Sequence, residues 1–220
     1  MTAELPPLSP VEARILGVLM EKEKTTPDVY PLTVNSLVAD CNQKTSRDPV
    51  MALSEAEVQA ALEALRERLL VIDTYGASGR VMRYAQNFRK TYGVPAGSAA
   101  LLAALMLRGP QTVSELRTNA DRLHHFSDTA SVEAFLEEMA AWPAGPLAVK
   151  LPKQPGSREH RWAHLLCGEV ALDNMPAFRE SGATGQDSDL AERVARLEEE
   201  VAELKQSLEA LLARQNGAQG

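Results

Sequence analysis

Apolar residues recur at helical spacing from the start of the chain: Val11, Ile15, Val18 and Leu19 form one face. Ser9-Pro10-Val11-Glu12 opens that run as a capping box, with Ser9 as N-cap, Pro10 in the first helical position and Glu12 reaching back. The pattern predicts a stop near Thr25-Thr26-Pro27, then a short helix over 32–39 and a polar loop over 41–49. Ser54 and Glu57 form a second capping box, and Val58, Ala61, Leu62 and Leu65 line one side of the helix it opens. The character then changes. Segments 70–75 and 80–84 are rich in β-branched and aromatic residues, and Gly76-Ala77-Ser78-Gly79 joins them, which predicts a β-hairpin. Three helices followed by a hairpin is the element order of a winged helix-turn-helix.

The order repeats. ILGVLM at 15–20 matches LLAALM at 101–106, and LTVNSL at 32–37 matches QTVSEL at 111–116. Thr112 to Glu115 is again a capping box, a third helix fits 132–141, and strands fit 147–151 and 161–166 around a basic tip. The expected fold is therefore mainly α with small β-hairpins: two tandem winged helices, over 1–94 and 95–167, then a linker over 168–188. The last segment, 189–214, has a heptad pattern. Val194, Val201 and Leu208 fall at a, and Leu190, Leu197, Leu204 and Leu211 at d. Mostly β-branched a positions with Leu at d favour a parallel two-stranded coil, and the Arg193–Glu198 and Glu200–Lys205 pairs are attractive across such a dimer. A homodimer joined through these seven residues is expected. The alternative is an amphipathic helix folded back on its own chain.

The formal net charge of −7 over 220 residues is uneven and misleads if taken as a whole. Residues 1–94 carry 11 basic and 12 acidic side chains, residues 95–168 carry 7 and 7, and residues 169–220 carry 5 and 11. The acidity sits in the tail, so nucleic-acid binding by the rest is not excluded, although no strongly basic domain announces it. No run approaches the roughly 18 apolar residues of a membrane span. The N-terminal residues lack the basic and apolar regions of a signal peptide. Two cysteines, Cys41 and Cys167, are too few for a disulfide framework and are expected to act as small apolar residues. A cytoplasmic location with no membrane partner is the simplest expectation.

Four stretches, CNQKTSRDPVMALSEAEV, RVMRYAQNF, TVSELRTNADRLHHF and LPKQPGSREHRWAHLL, occur in an order that resembles the YceH-like proteins. The resemblance covers about residues 9–167. It implies a cytoplasmic bacterial protein with a DNA-binding-like fold, and it carries no ligand, reaction or target.

A winged helix commonly places its third helix in the major groove. Here the outward face of the first third helix offers Glu55, Gln59, Glu63, Arg66 and Glu67, and the second offers Glu133, Glu137 and Glu138. Carboxylates repel phosphates and suit base reading only at a cytosine amino group. Basic residues sit elsewhere: Lys44 and Arg47 beside Asn42 and Gln43 in the polar loop, Arg80 and Arg83 on the first wing, Lys153, Arg158 and Arg161 on the second. The expected DNA-contact set is Gln43, Lys44, Arg47, Gln59, Arg66, Arg80, Arg83, Lys153 and Arg158, mostly through phosphates. Surface solvation, or pairing of Arg47 and Arg83 with Asp48 and Asp73, is the alternative for these cations.

His160, Trp162 and His164 alternate along one strand face and mimic half a metal site, but no third ligand has a convincing spacing. No metal, cofactor or catalytic set is expected. The leading expectation is a dimeric DNA-binding or transcription-associated protein. The rival is a protein–protein adaptor, favoured if the face formed by Lys44, Arg47, Arg80 and Arg83 is not continuously positive or if an apolar patch replaces it.

Overall fold

A computed structural model describes residues 6–75, 81–153 and 157–170. The chain opens with α1 (Pro10–Thr25), a 3-10 turn (Pro27–Val29), α2 (Val34–Cys41) and α3 (Glu55–Glu67). A hairpin of β1 (Val71–Tyr75) and β2 (Met82–Gln86) follows, then a one-turn helix α4 (Phe88–Tyr92). The second half runs α5 (Ala96–Arg108), α6 (Val113–Ala120), α7 (Thr129–Ala140) and a shorter hairpin of β3 (Ala148–Lys150) and β4 (Trp162–His164). Both hairpins are antiparallel, with Asp73 opposite Tyr84 in the first and Val149 opposite Ala163 in the second. The heptad positions Leu190, Val194, Leu197, Val201, Leu204, Leu208 and Leu211 lie outside the described residues.

The capping boxes close as the sequence dictates. Ser9 Oγ accepts the Glu12 N–H at 3.2 Å, and Glu12 accepts the Ser9 N–H at 2.6 Å. Ser54–Glu57 and Thr112–Glu115 repeat the arrangement, each satisfying donors that a helix start leaves orphaned. Several boundaries differ from expectation: α2 runs on to Cys41, and β3 and β4 are shorter than the expected 147–151 and 161–166. Leu32 is not helical but bridges Tyr84 beside β2, because Thr33 caps α2 one position later. Asp128, whose carboxylate accepts the Ser131 N–H at 2.7 Å, starts α7 three residues before the expected 132. Asn87-Phe88 begins α4, which the strand-like pattern of its surroundings concealed.

The two halves repeat in detail. The Leu32–Tyr84 bridge has its counterpart in Gln111–Trp162. Arg83, next to Tyr84, donates to the Pro31 carbonyl at 2.8 Å; Arg161, next to Trp162, donates to the Pro110 carbonyl at 2.7 Å. In both halves an arginine, within β2 in the first and just before β4 in the second, thus ties the hairpin to the chain entering the second helix.

One apolar cluster runs through both halves, from Leu8 to Leu166. Residues 97–107 of α5 are all buried, as an all-round apolar helix requires. At Gly17 of α1 an added Cβ would lie 2.9 Å from Leu107 Cγ of α5. The matched segments of the repeat therefore meet each other at the centre, and the glycine sets how closely.

On β4, Trp162 is buried, and His164 Nδ1 is buried without a hydrogen-bond partner among the described residues. Burial pushes the His164 imidazole down to about 4. The folded form keeps this ring neutral, whereas an unfolded chain protonates it below about 6.5, so stability should fall as pH drops from 6.5 towards 4. The expected loss reaches about 3 kcal/mol over that window. Urea unfolding of wild type and His164→Gln at several pH values should show their difference change across it. A constant difference would show that the ring is solvated.

Candidate interaction surface

The 42–49 loop is long and polar, and buried groups hold it from beneath. Arg14, 1% exposed in the middle of α1, donates to both ends of the loop: the Cys41 carbonyl at 3.4 Å and the Pro49 carbonyl at 2.6 Å. The Asn42 amide pairs with the backbone of Leu53 in both directions, at 2.8 and 2.7 Å. Arg47 turns inward. Its side chain has no exposed surface, it forms a two-pronged pair with Glu21 at 2.6 and 3.3 Å, and it donates to the carbonyls of Asp40 and Ser46. From the second half, the Leu107 carbonyl accepts the Asp48 N–H at 2.8 Å and Arg108 donates to Ser46 Oγ at 2.8 Å. Ser46 adopts a left-handed φ of 59°, a conformation that surrounding contacts must hold.

This arrangement divides the DNA-contact candidates. Arg47 is a structural group, because its charge is neutralised by Glu21 and shielded from solvent; the expected partner Asp48 is not the one it takes. Gln43 donates to Asp40, which Lys22 also pairs at 2.8 Å. Gln59 donates to Glu55 on its own helix, and Arg66 pairs with Asp73 of β1 at 3.2 Å. Arg83 donates to the Val29 and Pro31 carbonyls, so it does not pair with Asp73. Arg80 lies outside the described residues. Lys44, Lys153 and Arg158 are exposed and have no hydrogen-bond or ion-pair partner among the described residues. Of the four residues set out for a continuous positive face, Lys44 is the described one that remains available.

An apolar patch lies beside the first hairpin. Ile72, paired with Ala85 across the strands, is 47% exposed, and Val29, whose carbonyl Arg83 binds, is 57% exposed. Val81, just before β2, is 51% exposed; Tyr75, at the end of β1, is 63% exposed but points to the face opposite Ile72. Sequence reasoning missed this patch because each residue also fits a buried strand or turn position. It missed Arg14 too, although a cation three residues after Val11 and four before Val18, on the apolar face of α1, is a signal of a buried clamp.

Other groups offer little chemistry. Burial pushes the Cys41 thiol up to about 12, which keeps it protonated and unreactive. Among the described residues, no group of three or more His, Cys, Asp and Glu side chains could hold a metal ion. No described helix is long and apolar enough to cross a membrane.

Relatives share this sequence over most of its length. A UPF0502 protein from Acidovorax sp. (strain JS42) is 53% identical over 210 residues, covering 93% of this chain and 92% of its own. One from Dechloromonas aromatica (strain RCB) is 53% identical over 206 residues, covering 93% and 96%. UPF0502 protein BURPS668_A1958 from Burkholderia pseudomallei (strain 668) is 56% identical over 170 residues, covering 77% and 71%. The family model described as "Protein of unknown function, DUF480" matches residues 8–157. With the four ordered motifs, the match to that model and relatives of this identity, the chain belongs to the DUF480 family of UPF0502 proteins.

Proposed function

We propose that this chain is a tandem winged-helix adaptor that docks on a protein partner through its first hairpin. The repeated order of three helices and a hairpin, with the same bridge and the same arginine tie in each half, supports the winged-helix reading. The observation that carries the adaptor reading is the set of exposed apolar residues Val29, Ile72 and Val81 about one hairpin. Apolar side chains grouped in this way are a common mark of a docking site. The neighbouring cations Arg66 and Arg83 are already spent on Asp73 and on backbone carbonyls, and the outward face of α3 is acid-rich. A partner with an apolar centre and a basic rim matches this surface.

Substituting Ile72→Glu puts a charge into the centre of that patch and should weaken partner binding at least about 30-fold, the effect of losing one central contact. Tagged full-length protein, cross-linked in its native host, should enrich a partner that Ile72→Glu loses and Lys44→Glu retains. Retention by Ile72→Glu would overturn the reading.

The DNA-binding reading is kept by a separate observation. Lys44 stands on a rigid loop, and Lys153 and Arg158 flank the second hairpin's tip, all three exposed and unpaired among the described residues. Such cations suit phosphate contacts that set affinity without reading sequence. If they act, Lys44→Glu lowers the slope of log affinity against log salt by about one for every duplex. Absence of duplex binding at low salt removes this reading.

A further inference from the structure

Where the end of the first half meets the second, a half-open cleft of about 590 Å3 enters the molecule. Its walls come from three parts of the chain: Pro6 and Pro7 before α1, Tyr92 at the end of α4, and Trp142, Leu147 and Leu166 around the second hairpin. The volume lies within the range of small-molecule sites, and the walls are mostly apolar, as such sites require. Three of the lining side chains carry polar donors, and one of them, the Thr91 hydroxyl, is already taken by the Leu69 and Asn87 carbonyls. Neither the Tyr92 phenol nor the Trp142 indole N–H has a hydrogen-bond partner among the described residues. Both donor atoms are open to solvent, so an acceptor on a ligand would replace water there.

Both rings are held in place. Tyr92 stacks on Phe88 with ring centroids 4.4 Å apart, and Phe88 is fully buried. Trp142 packs against the main core. Two fixed aromatic rings, apolar walls and two donors without acceptors define a ligand by its chemistry. Glu169 also lines the cleft, and Arg68, which donates to the Pro6 and Pro7 carbonyls, is already paired with Glu12 at 3.5 Å, so the charges near the site do not select an anion and the acceptor on the ligand should be neutral.

We propose that this cleft binds a small, planar, apolar molecule bearing a neutral hydrogen-bond acceptor, which takes the Tyr92 and Trp142 donors. The ring of the ligand lies against the aromatic and proline walls, and a carbonyl or ring nitrogen accepts the protons that the protein leaves unshared. Burial pushes the Tyr92 phenol above its ordinary range, which keeps it a donor at neutral pH. This site is independent of the hairpin patch, and neither reading requires the other.

The probe is 4′-fluoroacetophenone, which is planar, apolar and carries one neutral carbonyl; its binding to the full chain is followed by 19F line broadening. A dissociation constant on the order of a millimolar or below is expected for a ligand of this size. The matched 4-fluoro-α-methylstyrene has nearly the same shape without the acceptor and should bind about fivefold or more weakly. Tyr92→Phe should weaken the ketone by a similar factor and leave the styrene unchanged. Ala144→Phe, at an exposed lining position, should narrow the cleft and weaken binding of both probes while leaving thermal unfolding in place. The proposal is overturned by no broadening with the ketone at millimolar concentration, by equal binding of the two probes, or by full binding to Ala144→Phe. That last outcome would put the probe elsewhere, such as on the first hairpin.

Discussion

Arg14→Ala should destabilise this protein by about 3–5 kcal/mol, because two carbonyls left without their donor cost about 1–3 kcal/mol each and the truncation adds a cavity. The guanidinium binds the carbonyls of Cys41 and Pro49, which mark the two ends of the polar loop. Truncation leaves both without that donor, and it opens a cavity inside α1 where the side chain was almost wholly buried. The charge itself is costly to hold there. Desolvation lowers its pKa, Arg47 lowers it further, and Asp48 and Cys41 work in the opposite direction. Arg14→Met should therefore lose less than Arg14→Ala, because it fills most of the space and removes the desolvated charge. Urea midpoints give the size of each change, and hydrogen exchange over residues 42–49 reports whether the loop has loosened. A loss below about 1 kcal/mol for Arg14→Ala would mean that the loop stands without its clamp.

The second large effect concerns the crossing of α1 and α5. Gly17→Leu should cost about 3 kcal/mol, because the new side chain must displace Leu107 and Met106 from a packed interior. Gly17→Ala should stay within about 1 kcal/mol of wild type: its Cβ presses on Leu107 at 2.9 Å, but alanine favours the helix by about 1 kcal/mol over glycine. The contrast between these variants is the measurement. If Gly17→Leu unfolds at the wild-type midpoint, the helices do not approach as closely as the Leu107 distance implies.

The same crossing bears on function. The Leu107 carbonyl holds Asp48, and Arg108 holds Ser46, so the end of α5 supports the loop that presents Lys44. A change at Gly17 that shifts α5 should therefore loosen the loop as well, even though Gly17 touches none of its residues in the sequence.

Short-range features can be read along the chain. A capping box needs residues three apart, so Ser9–Glu12, Ser54–Glu57 and Thr112–Glu115 could be read without knowing their surroundings. The hairpins were readable for a similar reason: strand character and a glycine-containing turn lie within a short window. The repeat also showed, because like elements were compared with like along one line. The start of α7 was missed by three residues, since Asp128 and Ser131 cap it without the glutamate that marks the others.

The role of each cation is set by contacts between distant segments. Arg47 looks like a loop cation until Glu21, 26 residues earlier, is folded beneath it. Arg83 looks like a wing cation until the Pro31 carbonyl, 52 residues away, takes its donor. Lys44 has the same local character as Arg47 and stays in solvent. A charge is available to a ligand when no closer partner has taken it, and that partner is set by packing between distant segments rather than by neighbours in the chain. The cleft follows the same logic: Pro6, Tyr92 and Trp142 share a wall only because the packing of the two halves brings three remote stretches to one place.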